Sequence, residues 1–278
     1  MDISIIILNY KSRGLLKQCL RGILLQKIPL AYEIIVVDNC SGDGTGEMMK
    51  EEFPHIRFLQ SDHNGGFAQG NNLGILQSRG KYLLILNPDI AVLSNAIETM
   101  HRFMEEHPTV GLCAPKLLNP DGSVQTSCRT FPTVLTIFLR RSPIGRLPWA
   151  RRRLRHFLML EWDHASNQPV DWVLGACLMV RRTAMESVGL MDERFFLYFE
   201  DVDWCRRFWQ AGFPVYYLGH DAELVHYHQR MSATNPGLSG VFSYTTRVHI
   251  VSGIKYFAKY HQQRLPERQV ATEQWKHN

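Results

Sequence analysis

The sequence contains no apolar run as long as the roughly 18 to 20 residues of a transmembrane helix, so a helical membrane span is not expected. Its beginning, Asp2-Ile3-Ser4-Ile5-Ile6-Ile7-Leu8-Asn9-Tyr10, lacks the basic leader, long apolar stretch and small-residue cleavage site of a signal peptide. It reads as a first strand, and the expected location is the cytoplasm. The six cysteines (Cys19, Cys40, Cys113, Cys128, Cys177 and Cys205) include no C-x-x-C pair, which argues for reduced thiols over a disulfide framework or a zinc site. A G-x-G-x-x-G fingerprint and a Walker A lysine are both missing, so dinucleotide oxidoreductase and P-loop NTPase chemistry are disfavoured. Acids are missing altogether from residues 140–155, where Arg140, Arg141, Arg146, Arg151, Arg152, Arg153 and Arg155 accumulate. Such a patch suits an anionic bilayer, a pyrophosphate-bearing substrate or an ordinary solvated surface. No nucleic-acid recognition motif accompanies it, and nucleic acid is not expected as a partner.

What the chain does have is 45% hydrophobic residues over 278 positions, enough for a sizeable globular core. Residues 3–8 form a continuous, β-branched apolar run followed by Asn9-Tyr10 and a helical pattern at Leu15, Leu16, Cys19, Leu20, Ile23 and Leu24. Residues 33–37 repeat the arrangement and end at Asp38-Asn39, with a turn and helix start at Ser41-Gly42-Asp43-Gly44-Thr45. A third strand is expected over 56–60, then Asn64-Gly65-Gly66-Phe67, a helix over 68–78, and a fourth strand over 83–86 ending in Asn87-Pro88-Asp89. Alternating strands and helices imply a parallel, helix-covered sheet, and the three polar turns should emerge together at its carboxyl edge. Ligands bind at that edge in open α/β sheets.

The residue types there suit a nucleotide. Tyr10 offers a ring for stacking, and Asp38 can accept a hydrogen bond from a base N–H or a ribose hydroxyl. Gly65-Gly66 lets backbone approach a ligand before a helix N-terminus that favours anions. Asp89 suits a divalent metal holding phosphate oxygens, or simply caps the next segment.

Four blocks, Ser4-Ile5-Ile6-Ile7-Leu8-Asn9-Tyr10, Glu33-Ile34-Ile35-Val36-Val37-Asp38-Asn39, Asn64-Gly65-Gly66-Phe67-Ala68-Gln69-Gly70-Asn71-Asn72 and Leu86-Asn87-Pro88-Asp89, occur in this order and resemble the nucleotide-sugar half of family 2 glycosyltransferases, with the bacterial rhamnosyltransferase-like branch most similar. The resemblance implies an α/β fold of the GT-A (Rossmann-like) type, a mostly parallel sheet covered by helices with a fused acceptor-binding half. It also implies a nucleotide-diphosphate sugar donor (dTDP- or UDP-linked), a Mg2+ or Mn2+ ion and inversion at the anomeric carbon. On these motifs Asn9, Tyr10, Asp38, Asn39, Asn64, Gly66, Asn71, Asn87 and Asp89 fall to the nucleotide-sugar site. Asp38 would hold the base and Asp89 would serve the metal. Asn87 stands where the family's D-x-D motif has its first acid, which raises the question of a further metal ligand.

Residues 115–162 are less regular, interrupted by Pro120, Pro132, Pro143 and Pro148. Short amphipathic helices over 133–139 and 149–160 would carry the arginines beside Phe138, Trp149, Phe157, Leu158 and Leu160, a composition suited to peripheral contact with an anionic membrane or a lipid-pyrophosphate acceptor. Residues 170–180 approach as a strand in which Gly175 leaves room for a ligand or a neighbouring backbone, and Trp172 offers a sugar-stacking face or a core side chain. Phe195-Phe196-Leu197-Tyr198-Phe199 then precedes Glu200-Asp201, where acids complement a helix dipole and apolar walls can raise a carboxyl pKa toward that of a general base. Glu200-Asp201 resembles the family's E-D pair, which implies Asp201 as the catalytic base and Glu200 as its neighbour or an acceptor-binding group. Residues 224–228 place His226 and His228 on one face of a strand, a metal or phosphate contact. The resemblance favours His226 as the ligand that supplements Asp89. Arg230 and Ser232 suit a loop closing over the diphosphate.

The expected organisation is a nucleotide-sugar half over 1–115, an acceptor and catalytic-base half over 116–235, and a helical tail over 236–278 that packs on the rest or rests on a membrane. The leading expectation is metal-assisted direct displacement, moving one sugar from dTDP-rhamnose or a UDP-sugar to a saccharide or lipid-linked saccharide in cell-surface polysaccharide synthesis. The competing one is a non-catalytic nucleotide-sugar-binding or scaffold protein of the same fold. A nucleotidyltransferase would want a basic Gly-rich N-terminal loop, of which Asn9-Tyr10-Lys11-Ser12 is a poor version.

Overall fold

The computed structural model describes residues 1–93, 95–227 and 244–268. Its first part alternates as the hydrophobic periods require: β1 (Ile3–Asn9), α1 (Arg13–Leu25), β2 (Tyr32–Asp38), α2 (Thr45–Glu52), β3 (Arg57–Gln60), α3 (Gly66–Leu76) and β4 (Tyr82–Leu86). Then follow β5 (Ile90–Val92), α4 (Ala96–Glu106), β6 (Leu112–Leu118), β7 (Val124–Gln125), β8 (Cys128–Arg129), α5 (Val134–Arg141) and α6 (Pro148–Phe157). The remainder comprises β9 (Asn167–Pro169), β10 (Trp172–Val173), β11 (Cys177–Arg181), α7 (Arg182–Val188), α8 (Glu200–Gln210), β12 (Val215–His226) and α9 (Tyr244–Lys259).

The main sheet runs β3-β2-β1-β4-β11-β6-β12-β5, and its first four strands are parallel. Beyond β4 it becomes mixed. β11 lies antiparallel between β4 and β6, while β12 is parallel to β6 and antiparallel to β5. A separate ribbon pairs β8 with β10. Every residue of β1 is buried, as expected of a strand covered on both faces. Ile5 and Ile7 join one core cluster with Leu16, Leu20 and Phe103, whereas Ile6 joins the other with Ile75, Trp204 and Phe208. This is the period of two that puts alternate side chains on opposite faces.

The choice left open for the tail falls on packing for α9. Its Ser252, Gly253 and Tyr256 are buried, and Lys259 and Tyr260 both donate to Asp203 of α8. Its other face leaves Ile250, Val251 and Ile254 exposed. Among the described residues no helix is long and apolar enough to cross a membrane.

Candidate active site

The carboxyl ends of β1, β2 and β4 carry the polar turns, and the first two are knitted together by hydrogen bonds. Asp38 is 2% exposed. Its Oδ1 accepts from Asn9 Nδ2 (2.8 Å) and Ser41 Oγ (2.6 Å), and its Oδ2 from the Ser41 N–H (2.9 Å) and Gln60 Nε2 (2.9 Å). Burial acts to raise the Asp38 pKa, but the bonds from Ser41, Asn9 and Gln60 outweigh it and hold the carboxyl below its ordinary value. Four donors fill the four lone-pair positions of a carboxylate. Contact between Asp38 and a nucleotide base therefore requires one donor to yield, and Gln60 is the exposed one.

Asn39, Asn64 and Asn71, expected at the nucleotide-sugar site, also make hydrogen bonds within the protein. Asn39 Nδ2 donates to Asn64 Oδ1 (2.8 Å) and Gly66 O (3.1 Å), and its Oδ1 accepts from the Gly65 N–H (3.1 Å). Asn71 Nδ2 bonds back to Phe67 O within α3 (3.0 Å). The Asn39 and Asn64 amides clamp the Gly65-Gly66 turn to the sheet edge. Gly66 is obligatory there, because its φ is +85° and a Cβ would meet Phe196 O at 2.0 Å. Tyr10, by contrast, is 39% exposed at the same edge and keeps a ring face for stacking.

At the end of β4, Asn87 N–H donates to Ala176 O (2.9 Å), and Asp89 is delivered toward β12 by the Tyr227 N–H bond to its carbonyl (2.9 Å). The Asp89 Oδ2 lies 3.3 Å from His226 Nε2. The opposite ring nitrogen, Nδ1, meets Gln125 Oε1 at 2.7 Å, and the Gln125 amide is oriented by its own donation to Asn119 Oδ1 (3.1 Å). An amide oxygen can only accept, so the ring donates from Nδ1 and turns Nε2 toward the carboxylate. Their separation is one that a hydrogen bond or a shared cation can span. The donor set, a carboxylate and an oriented imidazole with a second-sphere partner, fits a divalent metal. Among the described residues no third His, Cys, Asp or Glu completes a cluster. Gln125 and Asn119 escaped the sequence reading because nothing local marks a residue that orients a histidine far along the chain. Arg230, His228 and Ser232 lie outside the described residues.

The acidic pair opens α8. Tyr198 (φ 67°) and Phe199 (φ 72°) are both left-handed just before Glu200, a strain on the order of 1 to 2 kcal/mol each. The surroundings enforce it: Ser252 Oγ donates to Leu197 O (2.9 Å), Asp203 N–H donates to Phe199 O (2.8 Å), and Phe199 packs on Tyr256 and against Gly253. Glu200 and Asp201 are buried as a result. Asp201 Oδ1 accepts from the Val202 N–H (2.8 Å) and Oδ2 from the Gly175 N–H (3.2 Å). Burial pushes the Asp201 pKa up despite these bonds, and burial followed by the Asp201 charge pushes Glu200 well above its ordinary value. A carboxyl whose pKa is raised by burial is a stronger proton acceptor than an ordinary carboxylate.

Gly175 and Ala176 join the two regions. The Gly175 N–H holds Asp201 while the Ala176 carbonyl holds Asn87, so the Asp89 turn and the acidic pair are fixed to adjacent residues of one segment. The room at Gly175 is filled by a neighbour, since a Cβ there would meet the Phe67 ring at 3.2 Å. Trp172 is corrected to a core role. It is 5% exposed, its indole N–H donates to Thr130 O (2.8 Å), and the Arg129 guanidinium lies 5.2 Å from its ring centre, leaving no open face for a sugar.

A model of the family described as glycosyl transferase family 2 matches residues 4–186. Among characterised proteins, the chain is 30% identical over 227 residues to the N-acetylglucosaminyl-diphospho-decaprenol L-rhamnosyltransferase of Mycobacterium tuberculosis, covering 76% of this chain and 73% of that protein. It is 26% identical over 240 residues to the rhamnosyltransferase WbbL of Escherichia coli, covering 82% of this chain and 83% of that one. Among solved structures, that of GalNAc-T7 with UDP, GalNAc and Mn2+ superposes with a TM-score of 0.59 at 14% identity, over 81% of this chain and 44% of that chain.

Proposed function

The chain belongs to glycosyltransferase family 2, and we propose that it moves a single sugar from a nucleotide-diphosphate donor, dTDP-rhamnose or a UDP-sugar, onto a saccharide or lipid-linked saccharide acceptor for cell-surface polysaccharide. The observation that carries this reading is the segment Gly175-Ala176, which ties Asp201 and the Asp89 turn together. Tyr10 and the clamped turns of β1, β2 and α3 bind the nucleotide, and Asp89 and His226 would hold a divalent ion. That ion, when bound, neutralises charge on the leaving diphosphate.

Asp201 accepts the proton of the acceptor hydroxyl. The hydroxyl oxygen forms a bond to C1 of the donor sugar on the face opposite the nucleotide, as the bond from C1 to the diphosphate oxygen breaks. One displacement inverts the anomeric centre, and no covalent enzyme intermediate is involved. Glu200, protonated beside Asp201, avoids a second buried charge and offers a hydrogen-bond donor to the acceptor. In this reading residues 1–115 are the donor half and 116–235 the acceptor half, and within the tail over 236–278 the helix α9 (Tyr244–Lys259) supports them. Exposed Val134, Leu135, Phe138 and Trp149 on the arginine-bearing helices α5 and α6 suit peripheral contact with an anionic membrane.

The test is transfer from a panel of nucleotide sugars by the wild type and by Asp201→Asn. The variant is expected to lose about a thousandfold in kcat, the scale of a general base, and to bind nucleotide as before. Turnover by the variant at the wild-type rate would remove Asp201 from the chemistry.

A further inference from the structure

Three arginines, Arg129, Arg140 and Arg141, form a chain of neighbouring positive charges, the first of them near Asp201. Arg129 sits on β8 opposite Trp172 of β10, three residues before the Gly175 that holds Asp201, and its charge acts on Asp201 directly. Arg140 and Arg141 occupy the last turn of α5. Phe157 of α6 links the two elements, with the Arg129 guanidinium 6.0 Å and the Arg140 guanidinium 5.6 Å from its ring centre. Among the described residues none of the three takes part in an ion pair, and Arg129 Nε is buried without a hydrogen-bond partner.

The positive field they make is felt by their neighbours. Burial and then the Arg140 charge push the Arg129 pKa down to about 10. His249 of α9, tilted against Tyr198 and edge-on to Phe199, is pushed down to about 4 by burial and then by Arg141, Arg140 and Arg129. A helix dipole accounts for basic residues in the last turn of α5. It does not account for a third guanidinium brought from a separate ribbon and desolvated against two aromatic rings, one of which it shares with Arg140. Like charges so arranged are unfavourable until an anion joins them. Guanidinium forks match phosphate oxygens bidentately, and several forks match a diphosphate. The ribbon β8–β10 and α5 stand apart from the edge formed by β1, β2 and β4, where the donor nucleotide belongs. Exposed Val134, Leu135 and Phe138 continue along α5 from the arginines and offer an apolar track.

We infer that Arg129, Arg140 and Arg141 form the subsite for the diphosphate of a lipid-diphosphate-linked acceptor, whose sugar hydroxyl then reaches Asp201. This rests on the transfer reading above for the role of Asp201 but not for the binding itself. The subsite supplies a fuller counter-ion than the Asp201 carboxyl, which only Arg129 feels and only through space: anionic oxygens arrive with the substrate.

Farnesyl diphosphate is the probe, titrated calorimetrically into the full chain with chelator present so that the Asp89–His226 pair contributes nothing. The expected result is binding that weakens about tenfold or more, one charge-assisted hydrogen bond or more, in Arg129→Gln and in the double variant Arg140→Gln, Arg141→Gln, with farnesyl monophosphate weaker and farnesol weaker still. Nucleotide binding should be unchanged in both. Arg140 and Arg141 are exposed, so the double variant keeps the test alive if Arg129→Gln fails to fold. Equal binding by variant and wild type, or farnesol binding as tightly as the diphosphate, overturns the subsite. A protein that transfers sugar yet shows no arginine-dependent diphosphate binding refutes the subsite and leaves transfer standing. One that binds the diphosphate through these arginines but transfers from no nucleotide sugar refutes transfer and leaves the subsite standing.

Discussion

The edge formed by β1 and β2 and the pocket formed by β8, α5 and α8 handle buried charge in opposite ways. At the edge, Asp38 is surrounded by donors from Asn9, Ser41 and Gln60, and its carboxyl is held below the ordinary value. In the pocket, Glu200 and Asp201 are held above theirs, and Arg129 is left with a buried nitrogen unbonded. The edge is finished before any ligand arrives and supplies shape. The pocket is electrostatically incomplete, and its missing partners are a proton from one substrate and anionic oxygens. Preorganised scaffold and reactive groups are thus assigned to different elements, the one to the edge of the main sheet and the other to a helix and the separate β8–β10 ribbon.

The contrast can be broken most forcefully at the finished edge. Asp38→Ala removes one acceptor and strands several buried donors, with an expected loss of about 3 kcal/mol in denaturant unfolding, the scale of unsatisfied buried polar groups. A loss no larger than that of an exposed substitution would mean that the edge is not held by this carboxylate. Asp89→Ala should affect binding more than stability. Metal-dependent nucleotide affinity is expected to fall about tenfold to a hundredfold, to the level the wild type shows with chelator. Identical metal dependence in variant and wild type would remove Asp89 from the ion.

The smallest effect at neutral pH, and the one that sharpens the contrast, belongs to Glu200→Gln. The folded-state pKa of Glu200 is raised, so its contribution to stability is complete below the range where the unfolded carboxyl titrates and is lost as pH rises through the folded value. Glutamine does not titrate. The variant should therefore gain melting temperature relative to the wild type steadily from acid to alkaline pH. A difference that shrinks over that range would show Glu200 to be stabilised as an anion.

The sequence made some of this arrangement legible and hid the rest for physical reasons. Runs such as Ile3 to Leu8 and the helical spacing from Leu15 to Leu24 carry their own periodicity, so β1 through β4 and their helices could be read in place. The insertion of β11 between β4 and β6 could not, because strand neighbours far apart in sequence leave no local period. At the site, Asp89 and His226 were named as a pair, and they lie 3.3 Å apart. The orienting Gln125, the donors around Asp38 and the burial of Trp172 depend on what lies across the fold, and a residue type alone does not report it. The two left-handed residues ahead of Glu200 were equally hidden, since neither Tyr198 nor Phe199 is a residue that favours that conformation.

That strained pair has a consequence for the order in which the protein becomes competent during its synthesis. The backbone ahead of Glu200 is braced by Ser252, Gly253 and Tyr256, all on the last described helix. A ribosome delivers the sheet edge before α9, so a nascent chain can form that edge while the acidic pair is still unbraced. Competence therefore waits for α9, and a chain released before it has the sheet edge without the support that sets the angle of its acids.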